Sequence, residues 1–151
     1  MKMTTKTGKL LGTPSYLGNI RLKQIAAFQN STNAKLDLAV RKIALELFSR
    51  VILRSPVDTG RFRGNWQVQV GNIPNGTLDL NDKSGTAAIS AATAKTAGVV
   101  AGDVIYLANN LPYSIRLEEG HSQQAPTGMV ALSVQEFQAI VRAVGIELVQ
   151  R

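Results

Sequence analysis

The 151-residue chain has no cysteine and a single histidine. Without cysteine there is neither a disulfide framework nor a thiolate metal site, which suits a reducing compartment. Aromatic residues are only 5% of the chain, with one tryptophan, so there is little from which to build a base-stacking platform. No apolar run is long enough to cross a bilayer, and Leu10-Leu11 is too short for a signal-peptide core, so no membrane partner is expected. No His-Glu-x-x-His spacing or other metal-ligand pattern occurs. His121 lies near Ser122, Glu118 and Glu119, but the glycine-flanked serine elbow of a hydrolase is missing. No catalytic, metal or cofactor residue is expected, and the chain does not read as an enzyme.

What the chain does have is positive charge, unevenly placed. The formal net charge is +7. Residues 1–63 carry twelve Lys or Arg against three acids, and the remainder carries five against seven. A basic half and a mildly acidic half suggest contact with an anionic partner, or head-to-tail contact between copies. A solvated basic surface is the plain alternative.

Residues 1–18, rich in Lys, Thr and Gly, read as a flexible arm, and 19–151 as one domain. A short helix is expected over 19–29. A long helix is expected over 31–54, capped by Ser31 or Thr32, with an apolar stripe of Leu36, Val40, Ile43, Leu47 and Val51. Ala44, Phe48 and Ile52 widen the stripe. Outward pairs Asp37–Arg41, Lys42–Glu46 and Glu46–Arg50 stand at i,i+4, and Pro56 ends the helix. The Ala/Thr/Ser-rich stretch 84–97 reads as a weakly attached helix capped by Ser84, inside a loosely anchored region over 71–102. Asp103–Ala108 reads as a central strand, 113–119 as a short helix or turn, and 120–128 as a loop. A second long helix is expected over 129–149. Its apolar residues Val130, Val134, Phe137, Val141, Val144 and Leu148 form a heptad-like seam, and Gly145 suggests a close packing contact.

Ser55–Trp66 reads Ser-Pro-Val-Asp-Thr-Gly-Arg-Phe-Arg-Gly-Asn-Trp. Asp58, Thr59 and Gly60 are turn residues, with Asp58 able to bond the backbone two residues on. A strand is expected from Arg61 to Val70. It would set Phe62, Trp66, Val68 and Val70 on an apolar face and Arg61, Arg63, Asn65 and Gln67 on a basic, polar one. Trp66 reads as a core anchor rather than a ligand platform. The arginine face could neutralise phosphates without reading sequence, although no helix-turn-helix or zinc-finger pattern accompanies it.

Together with Tyr106-Leu-Ala-Asn-Asn-Leu-Pro-Tyr113 and Leu117-Glu-Glu-Gly-His-Ser-Gln-Gln-Ala-Pro-Thr-Gly-Met129, this segment resembles the neck and tail-completion proteins of long-tailed bacteriophages, a tail-component family. The resemblance spans Ala39 to Leu148. It implies a structural virion protein of the neck or upper tail, acting in tail completion and head–tail joining. It also implies an oligomeric ring of copies around the DNA path, with other neck and tail proteins as partners. The motif positions expected to serve interaction are Pro56, Asp58, Thr59, Gly60, Arg61, Arg63, Trp66, Asn110, Tyr113, Glu118, Glu119, Gly120, His121, Ser122, Gln124 and Pro126. Localisation would be the virion, after assembly in the host cytoplasm. The alternative is a small basic DNA-binding accessory protein, and non-specific contact with double-stranded DNA is compatible with either. The expected fold is α+β: two long helices packed on a small antiparallel sheet, with a mobile insertion.

Overall fold

The structure, a computed structural model, describes residues 16–150, with side chains at position 24 and from 26 to 150. The arm expected over residues 1–18 lies outside the described residues up to position 15. Two compact units divide the chain, Met1–Ala34 and Lys35–Arg151. The mixed α+β class holds, with one two-stranded antiparallel sheet among the described residues.

The first helix, α1 (Tyr16–Arg54), runs unbroken for 39 residues. The two helices expected there are one, because no Gly or Pro interrupts the polar stretch 29–33. Thr32 is not a cap: its Oγ1 donates back to Phe28 O at 2.9 Å, the bond a hydroxyl makes inside a helix. The buried face is turned slightly from the expected stripe. Ala44, Phe48, Val51 and Ile52 are buried, whereas Leu36 is exposed. Of the three expected ion pairs only Glu46–Arg50 forms, at 2.9 Å. Asp37 accepts from Ala101 N (2.8 Å) and Arg41 donates to Val99 O (2.6 Å), so both hold the loop before the second strand.

After Pro56 the chain makes a single helical turn, α2 (Arg61–Gly64), not the start of a strand. Gly60 allows this with φ of 89°; a Cβ there would stand 2.5 Å from Lys83 N. Gly64 N then donates to Gly60 O at 2.9 Å and Asn65 N to Phe62 O at 3.1 Å. The period-2 pattern of 61–66 is also an i,i+4 pattern. Phe62 lies in the turn and Trp66 just beyond its C-cap Asn65, and the two rings meet edge to face, with centroids 5.8 Å apart.

The strands are β1 (Gln67–Val70) and β2 (Ile105–Ala108), with Gln67 opposite Ala108 and Val70 opposite Ile105. With only two strands among the described residues, β2 is not central. Val68 packs with Ala44, Phe48 and Ala92, and Ile105 and Leu107 close this cluster. A second cluster joins Val51, Ile52, Phe62, Trp66, Ala88, Leu111 and Met129.

Helix α3 (Thr86–Thr96) is not loosely anchored. Its small residues Ala88, Ala92 and Thr96 are buried and let it lie close on β1. Its N-terminus is held by Asp82, whose Oδ1 accepts from Gly85 N (2.9 Å) and Oδ2 from Ala88 N (3.0 Å). Ser84 bonds Thr86 N at 3.2 Å in support.

Three helices follow: α4 (Ser114–Glu118), α5 (Val130–Gln135) and α6 (Phe137–Val149). The expected second long helix is therefore split at Glu136 (φ −90°, ψ −1°). The seam is split too: Val130, Val134 and Phe137 are exposed, and the buried positions are Ser133, Ile140 and Val144. Gly145 faces open space rather than a close contact.

Candidate functional site

The two motif segments meet. Gln124 presents its side-chain amide to the backbone of Val57, accepting from Val57 N at 2.8 Å and donating to Val57 O at 3.0 Å. Between them lies a cleft of ≈ 290 Å³. One wall is the turn Pro56–Arg61, the other is Ser122 and Gln124, and Phe62, Tyr113 and Leu117 complete the lining. Tyr113 stacks obliquely on Phe62, with centroids 6.0 Å apart. Within the turn, Thr59 Oγ1 and not Asp58 accepts from the backbone two residues on, at Arg61 N (3.2 Å). Asp58 is exposed beside the cleft.

The wall 118–129 is held by Glu118. Its carboxylate accepts from Met129 N (3.0 Å), Val130 N (2.9 Å) and Ala131 N (2.8 Å). These are unpaired donors of the first turn of α5, where a negative charge is favoured. The loop can close this tightly because Gly128 has φ of 76°, and a Cβ there would stand 2.5 Å from Glu118 O. Gly120 lies in the same way against the Pro126 carbonyl. His121 Nδ1 bonds Arg116 O at 2.9 Å; a carbonyl only accepts, so Nδ1 carries the proton. Ser122 Oγ accepts from Gln124 N at 3.2 Å. Glu118, His121 and Ser122 thus each hold backbone, and no relay joins them. Glu119 is exposed. Asn110 donates to Pro74 O and Gly76 O, both at 3.0 Å, tying the loop after β1 to the end of β2.

Arg61 and Arg63 do not share a face, so the basic strand face expected over 61–67, which could have neutralised phosphates or met an acidic neighbour, does not form. Arg63 turns inward and donates to Leu53 O, Ser55 O and Lys83 O, each at 2.8 Å. It satisfies the carbonyls that end α1. Burial lowers its pKa, partly opposed by the charge of Asp82. Arg61 is exposed, 3.6 Å from Asp79. Asn65, expected on the polar face, is fully buried. It brackets Leu78, accepting from its N (2.7 Å) and donating to its O (3.0 Å). Trp66 is buried as expected, and its Nε1 donates to Ser55 Oγ at 2.7 Å.

Besides Glu118 and Arg63, the polar residues Asp82, Asn65, Ser55 and Gln124 organise this region; of these four only Gln124 stood among the expected site positions. Asp82-Lys-Ser-Gly-Thr before an Ala-rich run is a readable cap signal, with Asp as well as Ser available. Burial pushes the Asp82 carboxyl up, but the hydrogen bonds from Ala88, Ser84 and Gly85 outweigh it and hold it below its ordinary value.

The uneven charge is partly satisfied within the chain. Lys42 pairs with Glu147, and Arg50 with Glu136. Arg54 pairs with Glu136 at 2.7 Å and donates to Ser133 Oγ at 3.0 Å. The bonds from Arg54 and Arg50 hold the Glu136 carboxyl below its ordinary value. Glu136 is also the residue at which α5 ends and α6 begins, so the break in the expected helix is where its side chain is drawn onto α1.

Among the described residues, no group of three or more His, Cys, Asp or Glu could hold a metal ion, and no helix is long and apolar enough to cross a membrane. No protein-family model, curated protein or solved structure matches the chain.

Proposed function

We propose that the chain is a structural protein of the bacteriophage neck or upper tail, acting in tail completion and head–tail joining as a ring of copies around the DNA path. The reading rests on the motif resemblance. The observation that supports it best is the meeting of the two motif segments through Gln124 and Val57, with one cleft between them. Motif residues with catalytic chemistry are occupied in holding loops, as Glu118 is on α5. In this reading the chain is not an enzyme and takes no cofactor. Its partners are further copies of itself and other neck and tail proteins, with non-specific contact to double-stranded DNA inside the ring. It resides in the virion after assembly in the host cytoplasm.

Deleting its coding sequence from the phage tests this. Electron micrographs of lysates should show filled heads and separate tails. Intact infectious particles lacking the protein would overturn the reading.

A further inference from the structure

The sheet is open beyond β2. Among the described residues it has two strands, and β2 pairs only with β1. Gly71 N donates to Val104 O at 2.8 Å, one step past the pair Val70–Ile105. Bonded and non-bonded pairs alternate along an antiparallel ladder. The backbone groups of Tyr106 and Ala108 therefore turn inward, to Gln69 and Gln67, and those of Ile105 and Leu107 turn outward. No other described residue bonds the outward N–H and C=O groups of Ile105 and Leu107.

Edge strands are commonly shielded by charge, proline or a bulge. Residues 104–108, Val-Ile-Tyr-Leu-Ala, carry no charge and no proline, and the register with β1 runs without a bulge. Every residue of β2 is only partly buried, and Val104 is 56% exposed. The β1 side differs, since Val68 is buried and α3 lies on that strand.

The edge suits a copy of itself. With a second β2 antiparallel to the first and Tyr106 on the two-fold axis, Ile105 of each copy faces Leu107 of the other, and their outward groups bond each other. Val104 then lies opposite Ala108. Asp103, the only charged residue between positions 102 and 110, lies opposite Asn109, so no like charges meet. Ile105 and Leu107 keep their side chains in the cluster with Val68, and Tyr106 meets Tyr106 on the opposite face.

We infer that β2 of a second copy completes the sheet, joining two two-stranded sheets into one antiparallel sheet of four strands across a two-fold axis at Tyr106. The same surface serves both copies, so the contact closes as a dimer, and a ring has to use a further surface. The inference goes beyond the phage reading and stands on the strand edge alone.

Sedimentation, native mass and amide hydrogen exchange on the full chain test it. The wild type should form a dimer that dissociates on dilution. The Ile105 and Leu107 amides should be protected in the dimer and exchange freely in the monomer. Tyr106→Lys and Tyr106→Glu each set like charges across the axis and should be monomeric, with circular dichroism unchanged. Mixed, the two should give a one-to-one dimer. The chain has no cysteine, so single cysteines read the register. Tyr106→Cys should cross-link to itself on oxidation, because a non-bonded antiparallel pair brings Cα atoms to about 4.5 Å, within the span of a disulfide. Ala108→Cys should not cross-link to itself but should cross-link to Val104→Cys. A wild type that stays monomeric, dimers that survive both charge variants, or a cysteine at 106 that forms no cross-link would each overturn the inference. Protection of the edge only when another virion protein is added would assign it to a different partner and overturn it too. A dimer of this kind in a chain dispensable for head–tail joining upholds the contact and sinks the proposed function. A monomer that is needed for joining does the reverse.

Discussion

Gln124 pairs with both backbone groups of Val57, at 2.8 and 3.0 Å, so a side chain 67 residues away completes the turn that follows α1. The amide acts as a short piece of β-ladder and fixes the two walls of the cleft relative to each other. Gln124→Ala should therefore cost about 1 kcal/mol in global stability, the net worth of exposed hydrogen bonds. Its clearer effect should be local. Amide hydrogen exchange at Val57 should quicken well before global unfolding, and unchanged protection there would show that the walls do not depend on this pair.

The core around Trp66 gives the largest stability effect. Trp66→Ala should cost about 3–5 kcal/mol through cavity formation, and it leaves the Ser55 hydroxyl without its donor. Native fluorescence from this sole tryptophan should resist iodide quenching. Free quenching in the folded protein would contradict its burial.

The α+β class, the antiparallel strand pair, the buried tryptophan and the end of α1 before Pro56 were legible in the sequence, because each follows from local chemistry. The strand over 61–66 was misread because Phe62 and Trp66 satisfy period 2 and the i,i+4 helical spacing at once, and only Gly60 and the close Lys83 backbone decide between them. The break at Glu136 was invisible because the residues its side chain meets there, Arg50 and Arg54, lie far away in sequence. The tight packing of α3 was underestimated because alanines bury little area, yet let backbones approach. For the site, the motif segments were found, but the roles of Arg63 and Glu118 as supports of helix ends depend on tertiary placement.

Those roles separate residues that look alike. Arg63→Ala should destabilise by about 1.5–3 kcal/mol, because it removes charge-assisted hydrogen bonds to three carbonyls, of which that to Ser55 is part-buried, whereas Arg61→Ala should stay within about 0.5 kcal/mol. Glu118→Gln should likewise weaken the start of α5 by about 1 kcal/mol, with little effect from Glu119→Gln. Thermal denaturation of the four variants checks the ranking. Equal effects within either pair would refute the assigned supports.

Acid should loosen the fold through Asp82 and Glu136. Both carboxyls sit below their ordinary values in the folded chain. Their stabilisation is therefore fully present above the ordinary carboxylate range and is lost as pH falls through the lowered values. Asp82→Asn should reduce stability near neutrality by about 0.5–2 kcal/mol, as for a lost cap. It should also flatten the acid limb of the stability–pH curve. An acid limb as steep as the wild type's would remove Asp82 from the account.

The central claim, a structural place in the phage neck or upper tail, is tested most directly by locating the protein in purified particles. Gold-labelled antibody against the chain, viewed by electron microscopy, should mark the junction between head and tail or the top of the tail in a single cluster. Particles that carry no label, and whose digests contain no peptide of the chain, would contradict it.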